Sequence, residues 1–467
     1  MKRQHVSDPV ARDQVRRKRD NTVAQGLDNT VRGMRSDAPR LCFTDWVSQE
    51  ALYYCNITLG TPEQSLRLVI DTGSSDLWCN SASSNLCSQE GGYCSLSGTY
   101  SANSSSTYSF VSSDFNITYA DESGAVGDYV TDTLKIGDAT LKDFQFGVGY
   151  LSSSTEGVLG IGYTANEVQV GRNGQSAYPN LPKAMVKSGL IKSNAYSLWL
   201  NDLDASQGSI LFGGVNSEKY HGTLETLPVQ QVNGEYSAFY IALTAVALVT
   251  SSKTKKYTSD SLPAAVLLDS GSSLTYLPNA IVKDIYDDLD VLYIESSGVG
   301  YVPCSLAEKN TNLSYTFSSP TIHVPLRELV LDNGDMYFRN GDRACVFGIV
   351  PAGGSSSVLG DTFLRSAYVV YDLANNEISL ANTNFNATED NILEIGTGDD
   401  AVPGATTVAN PVTSVVVGGS GARIGGPRGS TTDIFGTSSA HNDAASVKAG
   451  MSTYLALGLT GVVLLVL

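Results

Sequence analysis

Two short motifs in this chain could place aspartate side chains for catalysis. The first reads Asp71-Thr72-Gly73-Ser74-Ser75 and the second Asp269-Ser270-Gly271-Ser272-Ser273, and each follows an apolar run typical of a buried strand. The glycine of each motif permits a sharp turn with close backbone approach, because it has no Cβ. Two such turns facing each other would hold two carboxyl groups beside one water molecule. That arrangement suits hydrolysis of an amide by general acid–base catalysis.

The length and charge of the chain narrow the classes of protein it could be. With 467 residues it exceeds one ordinary hydrophobic core, so two similar lobes with tails are expected. Only 16% of its residues are charged, which favours a β-rich extracellular protein over a helical cytosolic one. The net charge of −17 argues against nucleic-acid binding and fits a protein that works in acid or attracts basic substrates.

The cysteines and histidines do not have the spacing of a metal site. The chain has seven cysteines, none in a CxxC pair, and four scattered histidines, so we expect no metal and no cofactor. Disulfides in a secreted chain are the better interpretation, and the odd number leaves at least one cysteine free or paired between chains. The cysteines are Cys42, Cys55, Cys79, Cys87, Cys94, Cys304 and Cys345.

Five Asn-x-Ser/Thr triplets are candidate glycosylation sites. Each is a weak signal alone, but together with the cysteines they favour the secretory route. They begin at Asn56, Asn103, Asn116, Asn312 and Asn386.

The C-terminus resembles a signal for attachment of a glycosylphosphatidylinositol (GPI) anchor. Residues 454–467 are almost wholly apolar, a polar spacer covers 446–453, and small residues precede the spacer. Fourteen residues are too few for a membrane span of about 20. We expect attachment at Asn442, with Asp443 and Ala444 as neighbouring options, and removal of 443–467. A short tail-anchor helix is the alternative.

The N-terminus is polar and basic, unlike the apolar C-terminus. Its first ten residues lack the apolar stretch of a signal peptide, so we expect the true start to lie upstream. The basic cluster Arg16-Arg17-Lys18-Arg19 is interpreted as a dibasic processing site that ends a prosegment. A solvated run of charge is the alternative.

Between the two ends, the pattern predicts a mostly β protein with few helices. Short strand-like runs separated by turn signals extend from Leu52 to about Leu380. Helices are predicted at 180–188 and 279–289. From about Gly396 to Ala445 the composition shifts to Gly, Ser, Thr, Ala and Val, which predicts a flexible stalk.

Further segments extend the two motifs into a recognisable series. Gly60–Gln64 precedes the first motif, which continues to Trp78; Gly157–Gly162 and Gly208–Gly214 follow, and Val358–Arg365 comes after the second motif. Over roughly residues 50–385 the chain resembles the pepsin-like aspartic endopeptidases, and within them the fungal, GPI-anchored yapsin-type members.

The resemblance implies a bilobal fold of two β lobes around a central cleft, with one catalytic aspartate from each lobe. The dyad would be Asp71 and Asp269, sharing one proton and activating a water molecule without a covalent intermediate. The domains would be a prosegment remnant (1–45), an N-terminal lobe (46–220), a C-terminal lobe (221–390), a stalk (391–442) and an anchor signal (443–467). Thr72 and Ser270 would form hydrogen bonds between the two motifs. Ser74 and Ser272 would donate hydrogen bonds to the carboxylates, and Gly73 and Gly271 would let the backbone approach closely.

The resemblance also assigns a flap, the hairpin that closes over the substrate. Tyr119 would be its tyrosine and Trp78 the packing partner of that tyrosine. The two acids at 121 and 122 are interpreted either as a solvated hairpin tip or as a preference for basic substrate side chains. Cys304–Cys345 matches the usual disulfide of the second lobe, and Cys87–Cys94 brackets a short polar loop. The partners of the remaining three cysteines stay open.

Alternative functions fit the residues less well. A pepsin-fold binding protein without activity usually lacks an aspartate, a motif glycine or the flap tyrosine, all of which are present here. A structural cell-wall glycoprotein would not need two intact motifs. Both half-sites lie on one chain, which favours a monomer. We therefore expect an endopeptidase that acts on protein or peptide substrates at the extracellular face of the cell membrane, in the cell wall or in the secretory pathway.

Overall fold

The computed structural model describes residues 40–45 as backbone and 52–416 apart from 90–91, 122, 172–173, 206, 296, 333 and 335. Strands dominate it, and they form two lobes joined by a shared sheet. The prediction of a mostly β, bilobal protein is therefore confirmed.

The N-terminal lobe is built on a seven-stranded sheet in the order β2-β3-β8-β4-β7-β6-β5. Its strands are β2 (Tyr54–Leu59), β3 (Gln64–Asp71), β4 (Leu77–Asn80), β5 (Ser109–Thr118), β6 (Gly124–Ile136), β7 (Ala139–Ser152) and β8 (Gly157–Gly160). The short helices α1 (Val168–Gly171) and α2 (Leu181–Lys187) follow the sheet.

A second seven-stranded sheet connects the lobes, in the order β1-β10-β9-β26-β27-β12-β29. Its strands are β1 (Arg40–Asp45), β9 (Ala195–Trp199), β10 (Gln207–Phe212), β12 (Tyr220–Pro228), β26 (Ala367–Asp372), β27 (Glu377–Thr383) and β29 (Ala405–Thr407). Residues 40–45, which we assigned to the prosegment remnant, thus form an edge strand of the folded body.

The C-terminal lobe contains three smaller sheets, and a separate two-stranded ribbon lies against β9 and β10 of the connecting sheet. A five-stranded sheet contains β13 (Tyr240–Leu243), β16 (Ala264–Leu268), β17 (Thr275–Leu277), β24 (Ile349–Pro351) and β25 (Ser357–Leu359). One four-stranded sheet contains β14 (Ala245–Thr250), β15 (Thr254–Tyr257), β20 (Thr311–Thr316) and β21 (Thr321–Pro325). The other contains β18 (Leu292–Ile294), β19 (Val299–Pro303), β22 (Val330–Leu331) and β23 (Ala344–Phe347). The ribbon is β11 (Gly214–Asn216) with β28 (Ile392–Glu394), and the helices are α3 (Asn279–Leu289) and α4 (Asp361–Leu364).

One continuous hydrophobic core runs through both lobes and the connecting sheet. It includes Leu68 and Ile70 from the N-terminal lobe, Tyr371 from the connecting sheet, and Val266 and Leu268 from the C-terminal lobe, all buried. The strands that lead into the two aspartate motifs are therefore anchored in a common core, which fixes the motifs relative to each other.

The predicted start of the flexible stalk is wrong. Residues 392–416, here called the strap, pack on the folded body: β28 pairs with β11, and β29 runs parallel to β12. Ile395, Val402 and Val408 of the strap are buried. The composition of the segment predicts too little apolar surface for order, but backbone hydrogen bonds to existing strand edges and a few buried aliphatic side chains are enough to order it. Residues 417–442 lie outside the described part of the chain.

Truncation tests this corrected boundary. A chain ending at Asn391 should lose roughly 6 kcal/mol of unfolding free energy, because about 2 kcal/mol follows from the loss of each of the buried side chains of Ile395, Val402 and Val408. A chain ending at Val416 retains all strap contacts and should unfold like longer forms. Thermal unfolding of the two truncations checks this, and equal melting temperatures would show that the strap does not stabilise the fold.

Candidate active site

The two aspartate motifs occupy matching places in the two lobes. β3 ends at Asp71 and runs parallel to β8, while β16 ends just before Asp269 and runs parallel to β25. A glycine follows the apolar pair of each partner strand, and a Cβ there would lie 2.6 Å from the Asp76 nitrogen at Gly160 and 2.2 Å from the Ser272 oxygen at Gly360. Only glycine lets these strands pass so close behind the motifs.

Four hydrogen bonds cross between the motifs and hold the two loops together. The Thr72 hydroxyl donates to the Leu268 carbonyl at 2.9 Å, and the Ser270 hydroxyl donates to the Ile70 carbonyl at 2.9 Å. The backbone N–H of Ser270 donates to the Thr72 hydroxyl at 3.0 Å, and that of Thr72 donates to the Ser270 hydroxyl at 3.2 Å. Each hydroxyl both donates and accepts, so the link is two-fold symmetric and fully paired.

Removing one of these hydroxyls should destabilise the junction. In Ser270→Ala the Ile70 carbonyl and the Thr72 N–H lose their partners in a buried place, which should cost about 2–4 kcal/mol. Ser270→Thr keeps the hydroxyl and is the matched control. Chemical denaturation of the three proteins measures the effect, and an alanine variant as stable as its parent would contradict the assignment.

Each catalytic candidate accepts the same two hydrogen bonds from its own motif. The N–H of Gly73 donates to Asp71 Oδ1 at 2.8 Å, and the Ser74 hydroxyl donates to Oδ2. In the second motif Gly271 N–H donates to Asp269 Oδ1 at 2.9 Å. Ser272 donates to Oδ2 of Asp269 at 2.7 Å. The equivalent donors leave the two carboxyl groups in nearly identical settings, so neither motif alone decides which group is ionised.

The two carboxyl groups are fully buried and within hydrogen-bonding reach of each other. Burial raises the pKa of Asp71 well above its usual range, and the charge of neighbouring Asp269 raises it further. Burial also raises the pKa of Asp269, against the lowering effect of its donors Ser272 and Gly271. Two carboxylates in contact cannot both ionise cheaply, so the pair retains one shared proton in mildly acidic solution.

The flap residues meet beside the first motif. β5 and β6 form a hairpin whose turn contains Tyr119, and the Trp78 indole N–H donates to the Tyr119 hydroxyl at 2.7 Å. Both side chains are buried. Burial raises the Tyr119 pKa well above its usual range, and the charge of Asp71 adds to that rise. The tyrosine therefore stays neutral beside the dyad. Asp121 is exposed at the tip, and residue 122 lies outside the described residues.

A group of buried acids and tyrosines behind the first motif was missed by the sequence analysis. Asp76 accepts hydrogen bonds from Tyr129 at 2.7 Å, from Tyr178 at 3.0 Å and from the Val168 N–H at 2.9 Å. Glu167 lies next to this group, fully buried, and accepts the Tyr178 N–H at 2.9 Å. Burial raises the Glu167 pKa to about 9. Asp76 stood within the quoted motif, but its partners come from distant segments that carry no local signal.

A buried ion pair lies behind the second motif. Arg365 Nε donates to Glu328 Oε2 at 2.7 Å, and both side chains are fully buried. Asp361, at the start of α4, is also fully buried, and burial raises its pKa well above the usual range. Arg365 and Asp361 lie in the segment that carried the family resemblance, but their burial and charge pairing were not predicted.

Both predicted disulfides are present, and most of the candidate glycosylation sites are exposed. The disulfides Cys87–Cys94 and Cys304–Cys345 are both formed, Cys55 is disulfide-bonded, and Cys79 is a buried free thiol. Four of the candidate asparagines are exposed and Asn312 is half-buried. The four exposed ones are Asn56, Asn103, Asn116 and Asn386.

Other predicted features fall on the chain ends. Asn442, the anchor signal and the basic cluster at 16–19 lie outside the described residues, as does the Cys42 side chain. Within the described residues, no helix is long and apolar enough to cross a membrane. No group of three or more acidic, histidine or cysteine side chains in that same part of the chain is arranged to hold a metal ion.

Paired buried carboxyls between two β lobes define the class of aspartic-type endopeptidases. Residues 52–383 match the family model for eukaryotic aspartyl proteases, and the chain belongs to that family. A probable aspartic-type endopeptidase, opsB of Aspergillus oryzae, is 69% identical over 95% of this chain and 88% of its own length. The aspartic proteinase yapsin-3 of Saccharomyces cerevisiae is 36% identical over 74% of this chain and 68% of its own.

A solved structure supports the fold independently. The crystal structure of an aspartic proteinase from Irpex lacteus superposes with a TM-score of 0.60, covering 75% of this chain and all of that one. The identity is 20%, so this likeness concerns the fold. The resemblance to pepsin-like and yapsin-type enzymes stated from the motifs is confirmed.

Proposed function

We propose that Asp71 and Asp269 together activate one water molecule for direct attack on a peptide bond. The observation that carries this proposal is the pair of buried carboxyls with matching donors, held by the four-bond link between the motifs. The ionised carboxyl takes a proton from water as the water oxygen bonds to the carbonyl carbon. The protonated carboxyl gives its proton to the carbonyl oxygen.

The resulting tetrahedral diol then breaks down on the same pair. The protonated carboxyl gives its proton to the amide nitrogen, the ionised carboxylate takes one hydroxyl proton of the diol, and the C–N bond breaks to leave a carboxylic acid and an amine. The dyad ends with one proton, as it began. Thr72 and Ser270 keep the loops in register, while Ser74 and Ser272 orient the carboxylates. Neutral Tyr119, which is close enough to Asp71 for that charge to raise its pKa, would exclude bulk water when the flap closes.

The test of this activity is digestion of a mixed peptide library at several acidic pH values. The sample is residues 1–442 behind an added secretion signal, assayed with and without a statine-type transition-state mimic. Cleavage that the mimic blocks supports the dyad. Folded protein that cleaves nothing after removal of residues 1–19 would instead favour a binding protein with this fold.

The same digestion tests a preference for basic residues in the substrate. Asp121 at the flap tip supports that preference. It is exposed, and its charge raises the pKa of Tyr276, which the charge of the catalytic Asp269 raises as well. An acid placed there would face a substrate side chain near the scissile bond. Asp121→Asn should reduce cleavage beside Lys and Arg relative to apolar sites, and an unchanged ratio would remove this acid from the explanation.

We also propose that the enzyme is held by a GPI anchor at the extracellular face of the cell membrane. The apolar end at 454–467, the disulfides and the exposed candidate asparagines support a secretory route. Deleting 454–467 should release active enzyme into the medium. A truncated protein that stays with the membrane would contradict anchoring.

A further inference from the structure

Two exposed aliphatic side chains lie side by side on the outer face of the flap hairpin and of the strand next to it, β7. Val126 of β6 and Leu151 of β7 are directly paired across the strands, and they are 42% and 58% exposed. Side chains directly opposite in an antiparallel pair have Cβ atoms about 5 Å apart, so the two form one small apolar patch. The patch lies near the turn that contains Tyr119, and exposed apolar surface of this kind favours non-specific association.

A candidate glycosylation site continues the same row. Asn116 of β5 is directly opposite Val126, so Asn116, Val126 and Leu151 follow one another across three strands. Side chains alternate along β5: Phe115 and Ile117 are buried, while Asn116 is exposed. The asparagine therefore shares the outer face with the aliphatic pair and lies on the side opposite the core.

We propose that Asn116 carries an N-linked glycan whose first sugars lie over Val126 and Leu151. In the transfer, a bond forms from Asn116 Nδ2 to C1 of the first sugar while the bond from C1 to a lipid pyrophosphate carrier breaks. One amide proton leaves with the pyrophosphate. N-acetylhexosamine rings present C–H faces and an acetyl methyl group, so they can cover aliphatic side chains while their hydroxyls stay in water. This inference rests on the secretory route of the proposed function.

The other four candidate sites lack this neighbourhood. Asn103 lies in the 3₁₀ turn Ala102–Ser104, and the strand partner of Asn56 is Arg67. Asn312 is half-buried in a central strand, and Asn386 has a left-handed backbone outside the strands. Among described residues, only the site at Asn116 is paired across a strand with an exposed large aliphatic side chain.

The position of the glycan predicts its effect. It would add bulk to the outer surface of the hairpin, whose inner side carries Tyr119, without touching the dyad. Loss of the glycan should therefore expose the aliphatic pair, increase binding of an apolar-surface dye, and lower the melting temperature by about 2 °C. The rate constant for hydrolysis of a short peptide should change little.

The experiment uses residues 1–453 secreted from a yeast host behind an added signal. Glycopeptide mass spectrometry should find hexosamine on Asn116, and an unoccupied Asn116 in secreted protein would overturn the proposal. Asn116→Gln should increase dye binding and lower the melting temperature, while Asn103→Gln should change neither. Equal effects of the two variants would overturn the covering role.

A variant without the aliphatic pair tests whether the glycan acts through contact with Val126 and Leu151. In a Val126→Thr/Leu151→Thr chain, Asn116→Gln should no longer change dye binding, because no aliphatic pair remains to expose. An unchanged increase in that background would contradict the contact. Glycan occupancy is read by mass and does not depend on the dyad, so Asp71→Asn protein should be glycosylated equally. A failed activity or anchoring assay is therefore distinguishable from a failed glycan assay.

Discussion

Asp71→Asn should lower kcat for peptide hydrolysis by roughly 10⁴-fold while the chain stays folded. Asparagine cannot take a proton from water, and it cannot share one with Asp269. It nevertheless keeps an oxygen that can accept the Gly73 N–H, so the loop should hold its shape. Hydrolysis of a fluorogenic peptide in acid measures the loss, and the melting temperature reports the fold.

Companion variants separate the dyad from general loss of charge. Asp269→Asn should lose as much activity as Asp71→Asn, and the double variant little more, because residues that act as one unit are not additive. Asp138→Asn, at an exposed turn, is the control and should keep full activity. Activity of Asp71→Asn within about tenfold of the parent would rule out the dyad.

The parts of the site that sequence could predict are those encoded by contiguous residues. Each aspartate, its glycine and its serine lie within four positions, so the donors at each carboxyl follow from the motif itself. The second predicted helix matches α3 at 279–289 because an amphipathic period with apolar residues at Ile281 and Ile285 needs no distant partner. Local pattern was sufficient in both cases.

The parts that sequence could not predict depend on distant packing. Asp76 meets the Val168 N–H from 92 positions away, and Arg365 meets Glu328 from 37 positions away. Neither pairing has a periodic or motif signature. The strap shows the same limit, because its order comes from backbone pairing to strand edges that the rest of the fold supplies.

The buried acids share a consequence for the pH at which the protein is stable. Burial raises the pKa of Asp76, Glu167 and Asp361 as well as that of the dyad. A carboxyl with a raised pKa in the folded state stays protonated there while it ionises in the unfolded chain. Each such group favours folding in acid and opposes it as the pH rises, which agrees with an enzyme suited to acidic surroundings.

Glu167→Gln should make the protein less sensitive to neutral pH. Burial raises the pKa of this carboxyl to about 9 in the folded state, whereas its ordinary pKa, expected in the unfolded chain, is 4.5. Its contribution to stability is complete below pH 4.5 and is lost as the pH rises toward 9. The loss amounts to about 1.4 kcal/mol per pH unit, or about 3 kcal/mol by pH 7. The glutamine variant cannot ionise, so its unfolding free energy should fall less between pH 4.5 and 7 by that amount.

The measurement is the difference in unfolding free energy between the two pH values, not the stability at either one. A fixed cost of burying the new amide group, which replaces the unpaired Oε1, cancels in that difference. Glu235→Gln at an exposed position is the matched control and should track the parent at both pH values. If Glu167→Gln lost as much stability as the parent, the carboxyl would be ionised in the folded protein. The buried group with Asp76 would then not limit stability at neutral pH.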